Sequence, residues 1–508
     1  MSHPDRTPAA TRPWRAADPK GTGAGTIHLA DHLLVTGKDT ARSIALLREV
    51  AAERGWIVAP ETDTAEDAVR VLRSAGADTV TRLRITRQPG AAEPDASGLL
   101  EAARAREPHL AAGLDHAVFL AAFHPQGPGM YGTNGIGMYG TNGIGMYGTN
   151  GKGMYGTNGV SPASSYQLPG AGGRSPVAVV LRAPDRGEEP ADPETRRPAI
   201  GFLDSGCGQH PWLADVVRRR VPGSAAQSSA EEDGDQLGPL DGVLDAVAGH
   251  GTFIAGMLRQ RAPHADLYSW RICDGAGVVP ESDLLSALEN VADLVAANRE
   301  DPGTGVGLDV LCLSLGFYPE DPDEADDDHI LRPSLERLTR LGVTVVLSAG
   351  NEATNRPFYP AAYAGAGLSG APVLSVGARN PNGTIALFSN TGDWVTTYAT
   401  GAALVSTSPP LRGGLQPLAA RESLPGGPSQ RRESLDPDDY SAPDPGNPDE
   451  PQGGFAIWSG TSFAAPVVAA EVAVALGRTL PRKQSGDDAV ARARDAVARA
   501  GLTLPETT

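Results

Sequence analysis

The sequence predicts an α/β fold, a twisted parallel sheet with helices on both faces, preceded by a small α+β domain of ferredoxin-like type. Two observations support this prediction. From residue 198 onward, continuous apolar runs alternate with segments of helical periodicity, as a buried parallel sheet requires. Between residues 27 and 123, shorter strand-like and helical segments alternate, which is typical of a small sandwich of helices on a sheet.

Composition and charge limit the classes of function. The chain has 508 residues and a formal net charge of −18, so it is long enough for two domains and too acidic to favour a nucleic-acid partner. Its cysteines, Cys207, Cys273 and Cys312, are odd in number and widely spaced, which predicts free thiols rather than disulfides or a zinc site. The N-terminal segment lacks the apolar stretch of a signal peptide, and no run of about 18 apolar residues occurs. We therefore expect a cytoplasmic protein with no membrane partner.

The N-terminal region divides into a tail and a small domain. Residues 1–26 are rich in proline, alanine and charge, which predicts a disordered tail. Residues 27–123 carry the small α+β domain. Its predicted elements are a strand at His32–Thr36, a helix over Asp39–Arg54, a strand at Trp56–Ala59, a helix over Thr64–Ala75, and strands at Thr79–Arg87 and His116–Phe123.

A glycine-rich tract and linker, residues 124–197, follow this domain. Residues 129–159 repeat the unit GMYGTNG, whose glycines make an ordered core costly in backbone entropy. We interpret the tract as a flexible linker. The alternative is that the repeats encode a peptide that other enzymes modify and that this chain carries or releases.

The parallel sheet is predicted within residues 198–480, with a proline-rich and charge-rich insertion at 411–453. The predicted buried strands are Ala199–Leu203, Ala265–Ile272, Leu308–Leu315, Val343–Ser348 and Val373–Val376. The predicted helices are Gly251–Gln260, Ser282–Asn298, Pro333–Leu341 and Thr461–Leu476. Residues 481–508 are predicted to form a C-terminal helix, Asp487–Ala500, and a tail. In such sheets the functional site lies at the carboxyl ends of the strands.

Four polar side chains lie at predicted strand ends or helix starts. Asp204 follows the first strand of this sheet, where the alternative is a turn-forming side chain before Gly206. His250 stands between two glycines at a helix start, and its alternative is a buried core histidine. Asn351 follows a strand, where it would otherwise only cap a turn. Ser462 lies at the start of an apolar helix, where a capping hydroxyl is the alternative to a nucleophile.

The order of these residues resembles that of a known enzyme family. Asp204, His250, Asn351 and Ser462 follow the Asp, His, Asn, Ser order of subtilisin. The segments FLDSG, GHGTFIAGM, LSLG, SAGN and SGTSFAAP resemble motifs of subtilisin-like serine proteases, the subtilases, over residues 198 to 478. The resemblance implies a subtilisin-like fold and a serine endopeptidase. Ser462 would attack the peptide, His250 would move the proton, Asp204 would orient His250, and Asn351 would bind the oxyanion.

The resemblance also implies a cleft that binds a protein or peptide substrate. The implied substrate-binding residues are Leu313, Ser314, Leu315, Gly316, Ala349, Gly350 and Phe358. An extended peptide would add as a strand to the segment 313–316. Phe358 on the floor of the first specificity pocket would favour small side chains at the cleavage site.

Residues 27–123 resemble a subtilase propeptide in size, position and strand–helix pattern, which implies an intramolecular contact with the catalytic cleft. The predicted helix Gly251–Gln260 continues directly into RAPHADLYSW, which leaves no room for the calcium loop of many subtilisins. We therefore expect no metal and no other cofactor. Two alternatives remain open, a maturation protease or carrier for a peptide encoded in the repeats, and a catalytically silent module that binds peptides.

Overall fold

The computed structural model describes residues 12–17, 25–37, 39–61, 71–73, 79–120, 174–177, 179, 181–224, 231, 234, 245, 247–273, 275–320, 330–365, 367–409 and 454–502. The predicted repeat tract and the predicted insertion at 411–453 lie outside these residues. The chain forms two compact units. The first comprises Met1–Val118, Val278–Ala292 and Phe317–Arg337, and the second comprises Phe119–Gly277, Asp293–Gly316 and Leu338–Thr508.

The elements are numbered in chain order. Within the described residues the strands are β1 (Trp14–Ala17), β2 (Thr26–Val35), β3 (Trp56–Pro60), β4 (Val71–Arg73), β5 (Thr79–Arg87), β6 (Ala112–Leu120), β7 (Ser175–Val177), β8 (Thr195–Arg196), β9 (Ala199–Asp204), β10 (Val217–Arg218), β11 (Asp266–Arg271), β12 (Val278–Pro280), β13 (Val310–Leu313), β14 (Leu315–Gly316), β15 (Thr344–Ser348), β16 (Val373–Arg379), β17 (Thr397–Thr400), β18 (Leu404–Thr407), β19 (Phe455–Trp458) and β20 (Leu480–Pro481). The helices are α1 (Thr40–Ala52), α2 (Ala96–Arg104), α3 (His250–Arg261), α4 (Glu281–Glu300), α5 (Arg332–Arg340), α6 (Thr461–Leu476) and α7 (Gly486–Arg499).

The first unit contains an antiparallel sheet in the order β6, β2, β5, β3, and β12 lies beside β6. Helices α1 and α2 connect these strands in the βαββαβ order of a ferredoxin-like sandwich. Apolar side chains from helices and strands, such as Leu33, Val50, Leu83 and Leu99, are buried together between them. The predicted small α+β arrangement is present.

The first unit also differs from the sequence-based prediction. Strand β2 begins at Thr26 rather than at His32, and β6 begins at Ala112 rather than at His116. Within the predicted tail, β1 pairs with β2 along an antiparallel register. Within the predicted helix Thr64–Ala75, the described part is β4, which pairs with β5, so strand pairing outweighs a local helical pattern. Helix α2 was not predicted, because it is short and contains Gly98 near its start.

The second unit is built on a parallel sheet in the order β10, β11, β9, β13, β15, β16, β17. Five of these strands, β9, β11, β13, β15 and β16, are the predicted apolar runs, with ends shifted by a few residues. The short strand β10 and the half-buried strand β17 were missed, since neither is a continuous apolar run. The α/β class is confirmed.

Helix α6 is the central helix of the second unit. It has the predicted bounds, and its residues are buried except at a few positions near its C-terminal end. It packs against β13, β15 and β16, as well as against α3 and α7. An apolar helix surrounded on several sides by other elements is a rigid support for residues at its start.

Further paired strands lie in the second unit, among them β20 with β8. The strands β18, β19 and β7 form a small antiparallel sheet that leads into α6. Strand β14 pairs antiparallel with the end of β6, Leu315 opposite Leu120 and Gly316 opposite Phe119. In the part of the chain that the structure describes, no helix is both long and apolar enough to cross a bilayer.

Candidate active site

Asp204 is the last residue of β9, at the carboxyl end of a central parallel strand, and is fully buried. Its carboxylate oxygen Oδ1 accepts a hydrogen bond from the Ser205 backbone N–H at 2.8 Å. The same oxygen lies 2.8 Å from the His250 ring nitrogen Nδ1. The carboxyl end of a parallel strand is where functional side chains of such sheets collect.

His250 is the first residue of α3 and is fully buried. Its ring packs against Trp458 and Phe463, with centroid distances of 5.5 Å and 5.1 Å. The next residue must be glycine, because a Cβ on Gly251 would lie 2.0 Å from the Gly206 carbonyl oxygen. The flanking glycine therefore permits the close backbone approach that brings this ring to Asp204.

The contact with Asp204 sets the tautomer of His250. An ionised carboxylate only accepts hydrogen bonds, so Nδ1 carries the proton and Nε2 presents its lone pair. Nε2 is buried and has no hydrogen-bond partner among the described residues. An imidazole arranged in this way can accept a proton at Nε2.

Ser462 is the second residue of α6 rather than its cap. The N-cap is Gly460, which offers no side chain, so the hydroxyl is not used to cap the helix. The Ser462 Oγ is buried and, within the described part of the chain, has no hydrogen-bond partner. Its backbone N–H belongs to the first turn, whose donors lack carbonyl partners inside the helix. Both groups are therefore available for chemistry at the positive end of the helix dipole.

The first turn of α6 is fixed by Pro466 and Ser314. A residue at position 466 would normally donate its N–H to the Ser462 carbonyl, but proline has none. The Ser314 hydroxyl donates to that carbonyl instead, at 2.8 Å. The segment that follows β13 is thereby tied to the backbone of Ser462.

The side chain of Asn351 is oriented by the residue before Ser462. Its Oδ1 accepts hydrogen bonds from the Thr461 backbone N–H at 2.8 Å and from the Thr461 hydroxyl at 3.0 Å. A backbone N–H can only donate, so the atom facing it is the amide oxygen and Nδ2 faces the other way. Nδ2 lies 3.6 Å from the position that a Cβ on Gly460 would take. The N–H donors of Asn351 thus lie beside the start of α6.

The predicted substrate-binding residues lie at the ends of β13 and β15, in β14, and in a segment that packs against β14. Leu313 ends β13, Leu315 and Gly316 form β14, and Ser314 lies between them. Ala349 and Gly350 follow β15, and Asn390 Nδ2 donates to the Ala349 carbonyl at 2.8 Å. The ring of Phe358 lies against Gly316, since a Cβ there would be 2.4 Å from Phe358 Cε1. Phe358 thus packs against β14, and Ser314, the residue before β14, is hydrogen-bonded to the Ser462 carbonyl.

Sequence reasoning missed a buried carboxyl beside Asp204. Glu231 Oε1 lies 2.5 Å from the Ser205 hydroxyl, and Oε2 lies 2.6 Å from the Thr252 hydroxyl. Burial raises the pKa of Glu231, although the hydrogen bonds from Ser205 and Thr252 oppose the increase. Glu231 comes from an acidic, serine-rich stretch without strand or helix periodicity, so no sequence signal marked it.

The cysteines do not compete with Ser462 as nucleophiles. All three are buried, and none of them forms a disulfide within the described part of the chain. Burial raises the pKa of Cys207 to about 11 and that of Cys312 to about 12, so both are thiols near neutral pH. Among the described residues, no group of three or more His, Cys, Asp or Glu side chains is arranged to hold a metal ion.

Part of the chain matches a known protein family. The family model described as the subtilase family matches residues 195–490. The minor extracellular protease Epr of Bacillus subtilis (strain 168) is 31% identical over 142 residues, which are 28% of this chain and 18% of that protein. The match thus spans less than a fifth of that relative's length. The crystal structure of a cold-adapted subtilisin-like serine proteinase has 18% sequence identity and a TM-score of 0.32, covering 55% of this chain and 74% of that one.

Proposed function

Because the chain belongs to the subtilase family, we propose that it is a serine endopeptidase that cleaves peptide bonds through an acyl-enzyme intermediate. The observation that carries the proposal is the pairing of His250 with Asp204, combined with a buried Ser462 hydroxyl that has no described partner. Buried polar groups are nearly always hydrogen-bonded, so exceptions of this kind need a functional explanation. Residues 198–480 are the proposed catalytic domain.

The proposed reaction uses the three side chains in fixed roles. Ser462 Oγ attacks the substrate carbonyl carbon while His250 Nε2 takes the hydroxyl proton. Asp204 holds the proton at Nδ1 and stabilises the imidazolium ion. His250 then gives the proton to the leaving amine, and water hydrolyses the acyl-enzyme by the same steps in reverse.

The proposed oxyanion site consists of two donors. The Ser462 backbone N–H lies in the first turn of α6, and Asn351 Nδ2 faces away from Thr461. Donors fixed before the reaction stabilise charge as it develops on the carbonyl oxygen, because they need no reorganisation. The paired hydrogen bonds from Thr461 support this role, since they prevent the amide from turning over.

The proposed substrate is an extended polypeptide. The backbone of Leu315 and Gly316 already pairs with a strand of this chain, which supports the proposal that a substrate strand can add at this edge. Phe358, packed against Gly316, supports a first specificity pocket with limited depth. We therefore propose a preference for small residues before the cleaved bond.

We further propose that residues 27–123 restrain the enzyme as a propeptide does. The pairing of Phe119 and Leu120 with β14 supports this, because these residues occupy the edge proposed for substrate. In the first unit, Asp115 accepts hydrogen bonds from the Ser282 backbone N–H at 3.1 Å and hydroxyl at 2.8 Å, at the start of α4. A carboxylate at a helix N-terminus is favourable.

A second contact in the first unit supports the same proposal. His116 Nδ1 lies 2.6 Å from Glu281, and its Nε2 lies 2.7 Å from Glu320. The ring also stacks on Phe317, with a centroid distance of 4.7 Å. Strand β6 therefore holds an ion cluster with residues that belong to the matched family region.

The test compares two serines that stand at helix starts. Ser485 is a true cap, because its hydroxyl accepts a hydrogen bond from the Asp488 backbone N–H at 3.1 Å. Purified wild type, Ser462→Ala and Ser485→Ala are incubated with an unfolded protein, and new N-termini are counted by mass spectrometry. We expect cleavage by wild type and Ser485→Ala and none by Ser462→Ala, while Ser485→Ala loses about 1 kcal/mol of stability. Equal cleavage by Ser462→Ala would contradict the proposal.

A further inference from the structure

Glu231 is a buried carboxyl group that the proposed reaction does not use. It is 1% exposed, and its two carboxyl oxygens contact the hydroxyls of Ser205 and Thr252. Its Oε2 accepts from the Thr252 hydroxyl at 2.6 Å and from the Thr252 N–H at 3.2 Å. The Thr252 hydroxyl also accepts a hydrogen bond from the Gly208 N–H at 2.8 Å, and the Thr252 backbone N–H can only donate to Oε2. Oε2 therefore accepts hydrogen bonds, and its donors are the N–H and the hydroxyl of Thr252.

The other oxygen, Oε1, shares the single hydroxyl proton of Ser205 with Asp204. The Ser205 hydroxyl lies 2.5 Å from Glu231 Oε1 and 3.0 Å from Asp204 Oδ1. It also accepts a hydrogen bond from the Gly251 N–H at 3.1 Å. A hydroxyl carries one proton, so it can donate to one carboxylate only. If both carboxyl groups were ionised, one of these close oxygen pairs would have no proton between its members.

The missing proton belongs on Glu231. Asp204 Oδ1 faces the Ser205 N–H and the Nδ1 atom of His250, a set of donors that suits an ionised carboxylate. Among the described residues Glu231 Oε1 has no N–H donor, and Ser205 Oγ has a lone pair left to accept from it. A proton on Oε1 therefore provides a hydrogen for each of these described contacts.

We propose that Glu231 is a neutral carboxylic acid that donates to the Ser205 hydroxyl, which then donates to Asp204, making Glu231 a positioning residue for His250. This inference rests on the proposed function, because it assigns Asp204 the task of orienting His250. Ionised Glu231 would instead draw the Ser205 proton away from Asp204 and place a second negative charge beside it. The arrangement of His250 would then be less well fixed.

The surrounding charges act in both directions. Burial and the charge of Asp204 favour the neutral form of Glu231. Arg174 favours the ionised form through its positive charge, but its guanidinium donates to the Ala248 carbonyl and lies over the Trp458 ring rather than bonding Glu231. Further described groups near this charge are Asp245, which attracts Arg174, the buried Cys207 thiol, Arg271, whose side chain lies beside Gly206, and Arg219, which donates to the Cys207 and Gly208 carbonyls.

Infrared spectroscopy tests the protonation directly and does not depend on activity. The full chain with Ser462→Ala prevents self-digestion, and Glu231→Gln is added to it. We expect the carbonyl stretch of a neutral carboxylic acid at pH 7 to disappear from the difference spectrum when Glu231 is replaced. Glu289→Gln is the matched control, because Glu289 pairs with Arg337 at 2.8 Å and should contribute no such band. Spectra without a difference at Glu231 would overturn the proposal.

A second measurement needs no change at position 231. Glutamate labelled with carbon-13 in the Ser462→Ala chain should show a carboxyl carbon with the chemical shift of a neutral acid at pH 7. Ionised shifts for every glutamate at pH 7 would overturn the proposal, even if Glu231→Gln failed to fold. An inactive wild-type chain with the neutral signal present would refute the proposed protease function and leave the protonation of Glu231 standing.

Kinetics separate a positioning role from a structural one. Glutamine can donate to Ser205 and accept from Thr252, whereas alanine can do neither, so Glu231→Gln should retain at least about tenfold more kcat than Glu231→Ala. The alkaline decline of kcat should also move to higher pH in Glu231→Gln, because no group remains there to ionise. Equal losses in both variants, with an unchanged pH profile, would contradict the positioning role.

Discussion

His250 and His116 are both buried and both pair with carboxylates, but they differ at the second ring nitrogen. His250 binds Asp204 through Nδ1, and its Nε2 has no partner among the described residues. His116 is held by Glu281 at Nδ1 and by Glu320 at Nε2. A histidine with one nitrogen held and the other available can transfer protons, whereas one held at both nitrogens is a fixed cation.

The electrostatics of His116 follow from its two partners. Burial by itself would lower the pKa of His116, but Glu281 and Glu320 outweigh it and raise the pKa to about 10. Burial would raise the pKa of Glu320, but the charge of His116 lowers it to about 2. His116 and Glu320 therefore stay ionised across the neutral range. The difference between the two histidines lies in their partners and not in their burial.

The largest expected effect is the loss of His250. His250→Ala removes the proposed base, and kcat should fall on the order of 10⁶-fold, a magnitude known for the corresponding residue of subtilisin. His116→Gln is the matched change at the other histidine and should keep hydrolysis at or above the wild-type rate, since it weakens only the proposed restraint. Steady-state kinetics on a peptide substrate measure both. Comparable losses of kcat in the two variants would contradict the different roles given to His250 and His116.

The next effect concerns stability. His116→Gln leaves Glu281 and Glu320 without their cation, which should cost on the order of 3–5 kcal/mol of stability. Thermal unfolding in the Ser462→Ala background measures it, with the exposed His109→Gln as the control in the same domain. An unfolding temperature that is the same in both variants would show that the cluster contributes nothing.

The pH dependence of that effect has a defined sign. A raised pKa means that the stability supplied by His116 is fully present below about pH 6.5 and is lost as the pH rises through about 10. The part supplied by Glu320 is lost as the pH falls through about 2. The difference in stability between His116→Gln and its control, His109→Gln, should therefore persist at pH 5–7 and disappear at alkaline pH. If the difference in stability disappeared between pH 7 and pH 5, the charges assigned to His116 and Glu320 would be wrong.

The smallest expected effect is on selectivity, away from both histidines. Phe358→Ala should enlarge the proposed first specificity pocket beside Gly316. Large side chains before the cleaved bond should then gain about 10- to 100-fold in kcat/KM relative to alanine, as expected for a change in apolar pocket volume. A peptide library profiled with wild type and Phe358→Ala provides the comparison. A wild-type enzyme that prefers large aromatic residues would refute the proposed pocket.

The two histidines also show how far sequence reasoning reaches. Asp204, His250, Asn351 and Ser462 were identified because each lies in a short segment of residues that resembles a family motif. The partners of His116 were not predictable in this way, since Glu281 is 165 residues away and Glu320 is 204 residues away along the chain. Glu231 lies in a stretch without periodicity, and its partners Ser205 and Thr252 are 26 and 21 residues away. Pairings between distant polar residues leave no local pattern.

The secondary structure shows the same difference between elements with a local sequence pattern and elements set by distant partners. Helix Thr461–Leu476 and strand Thr79–Arg87 were predicted with correct bounds, because each has a long, regular pattern. Val71–Arg73 was predicted as part of a helix and is a strand, since its partner β5 decides its conformation. A local sequence pattern predicts long, regular elements well. The conformation of a short element depends on the strand with which it pairs.

The most direct test of the account is to find which residue reacts with a serine-directed fluorophosphonate. Wild type, His250→Ala and His116→Gln are treated under the same conditions, and the labelled peptide is identified by mass spectrometry. The account predicts label on Ser462 in wild type and in His116→Gln, and almost none in His250→Ala. Label on another residue, or equal labelling of Ser462 in His250→Ala, would contradict it.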